Sequence, residues 1–181
     1  MSTCDPNFPG KLILVVGGSG VGKDSLISGS QRELEGNPRF TFPKRLITRP
    51  ALAELEDHKT ISYDEYNHIV HQGEAALNWQ AHGLGYIIPK TIEDDLRRGK
   101  IVVCNVSRSI ISSAAKAYPV HVIEIVPDID LRAKRLANRG RETECDIKQR
   151  LARAHIEVPK GIPATQIPNN GTVAKGIVAT T

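Results

Sequence analysis

The chain predicts an α/β fold, a mostly parallel sheet with helices on both faces. Three observations carry that expectation. Short, unbroken apolar runs recur at residues 11–16, 101–106 and 120–126, as strands buried on both faces require. Helical patterns lie between them, and strands alternating with helices build parallel sheets. The first run enters Gly17-Gly18-Ser19-Gly20-Val21-Gly22-Lys23, a glycine-rich turn between strand and helix.

Each element follows from local chemistry. Residues 2–10 read as a loose lead-in, and residues 11–16 form the first strand. A helix over 24–34 follows, ended by Gly36-Asn37-Pro38. The segment 44–50 is extended, because Pro50 disfavours helix at Arg49. In one strand Arg45 and Arg49, four apart, would point to the same side. Residues 54–58 read as an acidic loop. Ser62-Tyr63-Asp64-Glu65 is a capping box for a helix to about 72, closed by Gly73. Runs at 77–81 and 84–88 flank His82-Gly83 and predict a hairpin ended by Pro89. Thr91 caps a helix to Arg98, and Gly99 stops it. Ser107 caps the helix after the second buried strand, to about Lys116. Beyond the third, Asp128 opens a helix carrying Arg132, Arg135 and Arg139, broken at Gly140-Arg141 and resumed over 146–155. A short strand at 165–167, the Asn169-Asn170-Gly171-Thr172 turn and a brief helix complete the chain.

Size and composition narrow the classes. At 181 residues the chain suits one domain with its own core. No apolar run approaches the ~20 residues of a membrane span, and no secretory signal is visible at the start. The three cysteines, Cys4, Cys104 and Cys145, are scattered without metal-ligand spacing, which suits a reducing cytoplasm. A net charge of +4 suits an anionic small molecule and lacks the clustered footprint of a nucleic-acid binder. His68 and His71 lie three apart on one helix and read as a surface face rather than a zinc site. The sequence permits a homodimer without specifying one.

The glycine turn is the chemical centre. Its backbone can curl so that N–H groups point inward as an anion nest, with the helix N-terminus adding partial positive charge. Lys23 adds a full charge that reaches the outer phosphates of a nucleoside triphosphate. The expected architecture is therefore a three-layer nucleoside-triphosphate-binding fold, with a small hairpin subdomain at about 40–90 and an arginine lid at about 128–155. Ser or Thr usually follows such a lysine and binds Mg²⁺; here Asp24 does, with Ser25 next. A carboxylate is a hard ligand suited to Mg²⁺, so Asp24 and Ser25 are the candidate metal ligands. Asp24 is also a favoured helix cap.

Phosphoryl transfer asks for cations around the moving group more than for a covalent residue. The chain offers Arg45 with Arg49, Arg108, and the set Arg132, Arg135, Arg139 and Arg141. Arg45 and Arg49 serve equally well as solubility charges on an edge strand. The helix arginines fall on one face and also suit a solvated stripe. Arg108 at a helix start opposes the dipole, which hints at an anion nearby. Asn78, Trp79 and Tyr86 either line an acceptor pocket or pack the core.

These residues resemble the guanylate-kinase-like P-loop kinases, and within them the ribose 1,5-bisphosphate phosphokinases of phosphonate catabolism. The matching residues are Gly22-Lys23-Asp24-Ser25, Ile47-Thr48-Arg49, Trp79 with Gly83-Leu84 and Tyr86, Asn105 with Ser107-Arg108, and Asn138-Arg139-Gly140-Arg141-Glu142. Arg150-Leu151-Ala152-Arg153-Ala154 and Asn169-Asn170 extend the likeness to about Val178. It implies transfer of the ATP γ-phosphoryl to ribose 1,5-bisphosphate, giving 5-phosphoribosyl 1-diphosphate (PRPP) and ADP with Mg²⁺. It implies that Gly17, Gly18, Ser19, Gly20, Val21, Gly22, Lys23, Asp24, Ser25, Arg135, Asn169 and Asn170 hold the nucleotide. Arg45, Arg49, Asn78, Tyr86, Asn105, Arg108 and Arg150 fall to the acceptor. Lys23, Arg139 and Arg141 fall to catalysis.

Two departures separate the chain from guanylate kinases. Their guanine-reading Glu is matched by Asn78, and their Tyr-Gly-Thr by Tyr86-Ile87-Ile88. Losing polar partners for a buried base edge weakens guanine selection by orders of magnitude. A GMP kinase is the alternative, and a non-catalytic binding module the second.

Overall fold

The computed structural model describes residues 8–18, 21–49, 58–126 and 158–168. Along the chain run β1 (Lys11–Gly17), α1 (Lys23–Glu33), β2 (Phe40–Thr41), β3 (Arg45–Ile47), β4 (His58–Thr60), α2 (Tyr63–His71) and β5 (Ala75–Ala81). Then come β6 (Leu84–Pro89), α3 (Ile92–Arg97), β7 (Ile101–Asn105), a 3-10 turn (Arg108–Ile110), α4 (Ile111–Ala117), β8 (Val120–Val126) and β9 (Ala164–Pro168).

The apolar runs become the main sheet. Its order is β2-β7-β1-β8-β9, and every pairing is parallel. β1 is central, and Leu12 through Val16 have no exposed surface. Side chains alternate across the sheet, so each strand feeds two cores. Ile13, Val15, Ile123 and Ile125 pack toward Leu26 and Ile27 of α1. Leu12, Leu14, Val16 and Val122 pack with Leu96 of α3, Ile111 and Ala114 of α4, and Trp79 of the hairpin. Fully burying such a side chain is worth about 1.5–3 kcal/mol.

A second sheet has the order β4-β3-β6-β5. β5 and β6 form the expected hairpin, pairing Trp79 with Tyr86 and Asn78 with Ile87. Both turn residues take positive φ, 52° at His82 and 73° at Gly83, as a two-residue turn matching the strand twist needs. Trp79 and Tyr86 face the main core. One residue out of phase, Leu46 and Ile87 face Tyr66 of α2. α2 begins at the expected capping box: the Glu65 N–H donates to Ser62 Oγ at 3.1 Å, and the Ser62 N–H to Glu65 Oε2 at 2.6 Å. The Tyr63 hydroxyl donates to the Gly83 carbonyl, tying α2 to the hairpin tip.

Several expectations change. β3 ends at Ile47, so Arg45 and Arg49 do not share one strand face; Arg49 lies in the bend beyond. β3 is interior, flanked by β4 and β6, so the edge-strand reading of Arg45 fails. β2 and β4 form where no strand was expected, and β4 takes in His58 from the end of the anticipated acidic loop. Thr91 is in αR conformation and makes no side-chain cap bond. Ser107 caps the 3-10 turn before α4, its Oγ accepting from the Ser109 N–H at 3.3 Å. The arginine lid at about 128–155 and the terminal helix lie outside the described residues.

Candidate functional site at the strand ends

Parallel α/β sheets bind ligands beyond the carboxyl ends of their strands. Here β1 ends at Gly17, β7 at Asn105, and β8 carries Glu124 near its end. A Cβ on Gly17 would sit 2.8 Å from the Ile125 carbonyl and 2.9 Å from Val21 Cγ1, so only glycine fits there. Gly22 stands at the N-cap of α1 with φ 84°, a conformation costly for any side chain. The turn closes through the Val21 N–H to the Gly18 carbonyl at 3.3 Å and the Leu26 N–H to the Gly22 carbonyl at 3.0 Å. Val21 is buried and packs under the loop on Ile13 and Val15.

Lys23, the first helical residue, folds back over the loop. Its Nζ donates to the carbonyls of Gly17 at 2.9 Å and Gly18 at 3.0 Å. Burial lowers its pKa from the ordinary lysine value; Asp24 opposes that shift, and the charges of Arg45 and Arg108 add to it. Both arginines are thus close enough for their fields to be felt at the ammonium.

Asp24 is the hub between the two sheets. Its Oδ1 accepts from Arg45 Nη2 of β3 at 3.0 Å and from Asn105 Nδ2 of β7 at 2.7 Å. No hydrogen bond reaches Oδ2 among the described residues. Asp24 makes no cap bond, so that reading of it fails; it lies in the first turn of α1, where the dipole favours a carboxylate. Ser25 is exposed and lines, with Asp24, Arg45, Asn105, Gln31 and Phe42, a cavity of about 280 Å³. A larger cavity, about 590 Å³, lies toward the far end of α1 around Leu34, Gly36 and Phe40, and holds none of the charged residues of the loop.

Arg108 opens the 3-10 turn after β7 and bonds Glu124 Oε1 through Nη2 at 2.8 Å. The anion that its place at a helix start hinted at is this internal carboxylate. Glu124 was not foreseen. Its signal was a lone carboxylate in a strand otherwise buried on both faces, where charges occur only if paired. Behind Asn105 the Cys104 thiol is buried and its pKa pushed up to about 12, so it stays an inert packing group.

Tyr86 stacks on Trp79, ring centroids 5.1 Å apart and planes 3° from parallel. Arg45 shares the β3 face of Ile47, whose register partner is Tyr86, so the pair and Arg45 lie on one side of the small sheet. Asn78 is opposite Ile87, on the other side, and exposed; the two-residue period separates it from Tyr86. Ser19, Gly20, Arg135, Arg139, Arg141, Arg150, Asn169 and Asn170 lie outside the described residues.

No family model matches the chain. It is 46% identical over 149 residues to a ribose 1,5-bisphosphate phosphokinase PhnN of Acidiphilium cryptum, covering 82% of this chain and 80% of that one. A second PhnN, of Agrobacterium fabrum, is 39% identical over 163 residues, 90% of this chain and 89% of that one. The chain belongs to the ribose 1,5-bisphosphate phosphokinase family. The fold of the chain is that of the P-loop kinases. A guanylate kinase of Anaplasma phagocytophilum superposes with a TM-score of 0.59 at 15% identity, over 94% of this chain and 81% of that one. Among the described residues, no helix is long and apolar enough to cross a membrane.

Proposed function

We propose that the protein transfers the γ-phosphoryl group of ATP to the 1-phosphate of ribose 1,5-bisphosphate, releasing ADP and PRPP. The observation that carries this reading is the cluster of three cations, Lys23, Arg45 and Arg108, beside a glycine loop at the strand ends. An acceptor with two phosphates needs such a cluster facing the triphosphate.

An oxygen of the acceptor 1-phosphate attacks the γ-phosphorus, and the bond to the β,γ-bridging oxygen breaks. That acceptor oxygen is already ionised, so no strong base is required. The loop amides hold the α- and β-phosphates, and Lys23 exchanges the Gly17 and Gly18 carbonyls for phosphate oxygens. The fit to Mg²⁺ rests on Asp24, whose Oδ1 is taken by two donors. Its Oδ2 is left for the metal, directly or through water, with Ser25 adjoining. Mg²⁺ keeps several waters and takes one or two carboxylates besides phosphate. Bound there, it would neutralise phosphate charge. Arg45, Arg49, Arg108, Asn105 and Tyr86 fall to the acceptor; the placement of Asn78 argues against including it.

By family resemblance, Arg135, Arg139, Arg141 and Arg150 act from a lid at about 128–155, and Asn169 and Asn170 lie by the adenine. Residues at about 40–90 form the acceptor-binding part of a single domain. The working setting is the cytoplasm, and the partners are ATP and the sugar phosphate, without nucleic acid or membrane.

The test is ADP release with ATP, Mg²⁺ and either ribose 1,5-bisphosphate or GMP, the product identified by mass. Turnover with the ribose bisphosphate alone, yielding PRPP, is the expected result. Turnover with GMP alone would overturn it and make this chain a guanylate kinase.

A further inference from the structure

Glu124 stands where the packing calls for an apolar side chain. β8 alternates, so Val120, Val122 and Glu124 share the face that continues the core of Leu12, Leu14 and Val16. Glu124 pairs in register with Val16 of β1 and Gln166 of β9. Its side chain is 8% exposed and that of Arg108 is 11% exposed. A buried ion pair is weak support for a fold, since an apolar pair of similar volume is often as stable or more so. The pair's place, with Arg108 close enough for its charge to act on Lys23, suits a task other than stability.

Both carboxylate oxygens are occupied by different donors. Oε1 takes Arg108 Nη2 at 2.8 Å, and Oε2 takes Gln166 Nε2 at 3.0 Å. The carboxylate is thus fixed between the 3-10 turn and β9, with little freedom to follow the arginine. Arg108 has Nε buried without a hydrogen-bond partner, and its charge reaches Lys23. Nε is enclosed by protein, so the terminal Nη groups are those left to meet a phosphate, and Glu124 fixes one of them. Bidentate recognition of phosphate needs that fork pre-oriented.

We infer that Glu124, braced by Gln166, is a positioning residue that aims Arg108 at the phosphate of the acceptor. It touches neither substrate, and it acts only through Arg108. The inference rests on the proposal that Arg108 meets the acceptor.

The experiment is calorimetric titration of the full chain, filled with Mg²⁺ and a non-hydrolysable ATP analogue, with ribose 1,5-bisphosphate and separately with GMP. Wild type, E124Q, R108A and the double variant are compared. Acceptor affinity is expected to fall about ten- to a hundredfold in E124Q, as for loss of a hydrogen bond between charged groups. The double variant should bind no more weakly than R108A, because Glu124 has no route but Arg108. Affinity of E124Q for both acceptors within twofold of wild type, or a double loss equal to the product of the single losses, overturns the inference. If wild type binds GMP and not the ribose bisphosphate, the substrate reading falls while Glu124 is judged on GMP. Binding of neither acceptor sinks both. Should E124Q fail to fold, Q166M frees Oε2 and should weaken the acceptor by a smaller factor; unchanged affinity there counts against the bracing.

Discussion

The two sheets solve different problems with different materials. The main sheet is all parallel, and its three central strands, β7, β1 and β8, are mostly buried and apolar. The small sheet is mixed, and its strand β5 alternates, the exposed Asn78 and Gln80 following the buried Leu77 and Trp79 in turn. The first supplies a rigid platform for the glycine loop. The second hangs on it through the Trp79–Tyr86 face and the Arg45–Asp24 bond. Elements with fewer buried apolar contacts open more easily, so motion between substrates is expected in the small sheet.

The largest expected effect separates chemistry from stability on the platform. Lys23→Ala should lower kcat by about 10²- to 10³-fold, as for loss of one preorganised donor to developing charge. Its melting temperature should not fall. Burial holds the folded pKa of Lys23 below the ordinary 10.5, so the unfolded chain binds that proton more tightly. The charged ammonium therefore subtracts from stability at neutral pH, and the penalty fades as pH rises from the folded value toward 10.5. A large drop in melting temperature would show that Lys23 holds the loop together instead.

Next comes a paired truncation, one leucine per sheet. Leu14→Ala removes a fully buried side chain from the core and should cost about 2–5 kcal/mol in denaturant unfolding. Leu46→Ala, in a partly buried site over α2, should cost only about 1 kcal/mol. Equal costs would erase the distinction between platform and appendage.

The smallest effect concerns the start of α2. Ser62→Ala removes the cap and should cost about 1 kcal/mol. The Glu65 carboxyl is held below its usual value by the Ser62 backbone N–H first and the Ser62 hydroxyl second. Its contribution is present above the ordinary 4.5 and is lost as pH falls through the folded value. Thermal melts of wild type and Glu65→Ala should therefore draw together as pH drops below 4.5, while the gap to Ser62→Ala, which keeps the backbone N–H, should stay nearly constant; a wild-type-to-Glu65→Ala gap that does not narrow would remove the capping box from the account.

The same contrast explains what was legible in the residues. β1, β7 and β8 could be read because burial on both faces leaves a continuous apolar signature. The glycine loop and Lys23 could be read because phosphate geometry restricts the residue types. The hairpin showed itself through its turn, and α2 through its capping box. β2 and β4 could not be found: they are two and three residues long, and become strands only because Phe40 meets Ile101 and His58 meets Arg45 across the fold. Arg45 looked like an edge charge because nothing local tells an interior strand from an edge. Thr91 had a capping residue's chemistry, but its backbone entered the helix itself. Glu124 was hidden by the strand around it, since its partner Arg108 comes from another element.

A single oxygen, Asp24 Oδ1, receives both Arg45 and Asn105. A hydroxyl at position 24 is shorter and uncharged, so it falls short of the point where the carboxylate oxygen meets both donors. Replacing Asp24 by Ser or Thr alone would leave a cation and an amide facing each other with nothing between them. Positions 24, 45 and 105 are therefore bound to change together or not at all. A selection library randomised at all three should return matched sets, with single departures at 24 purged first.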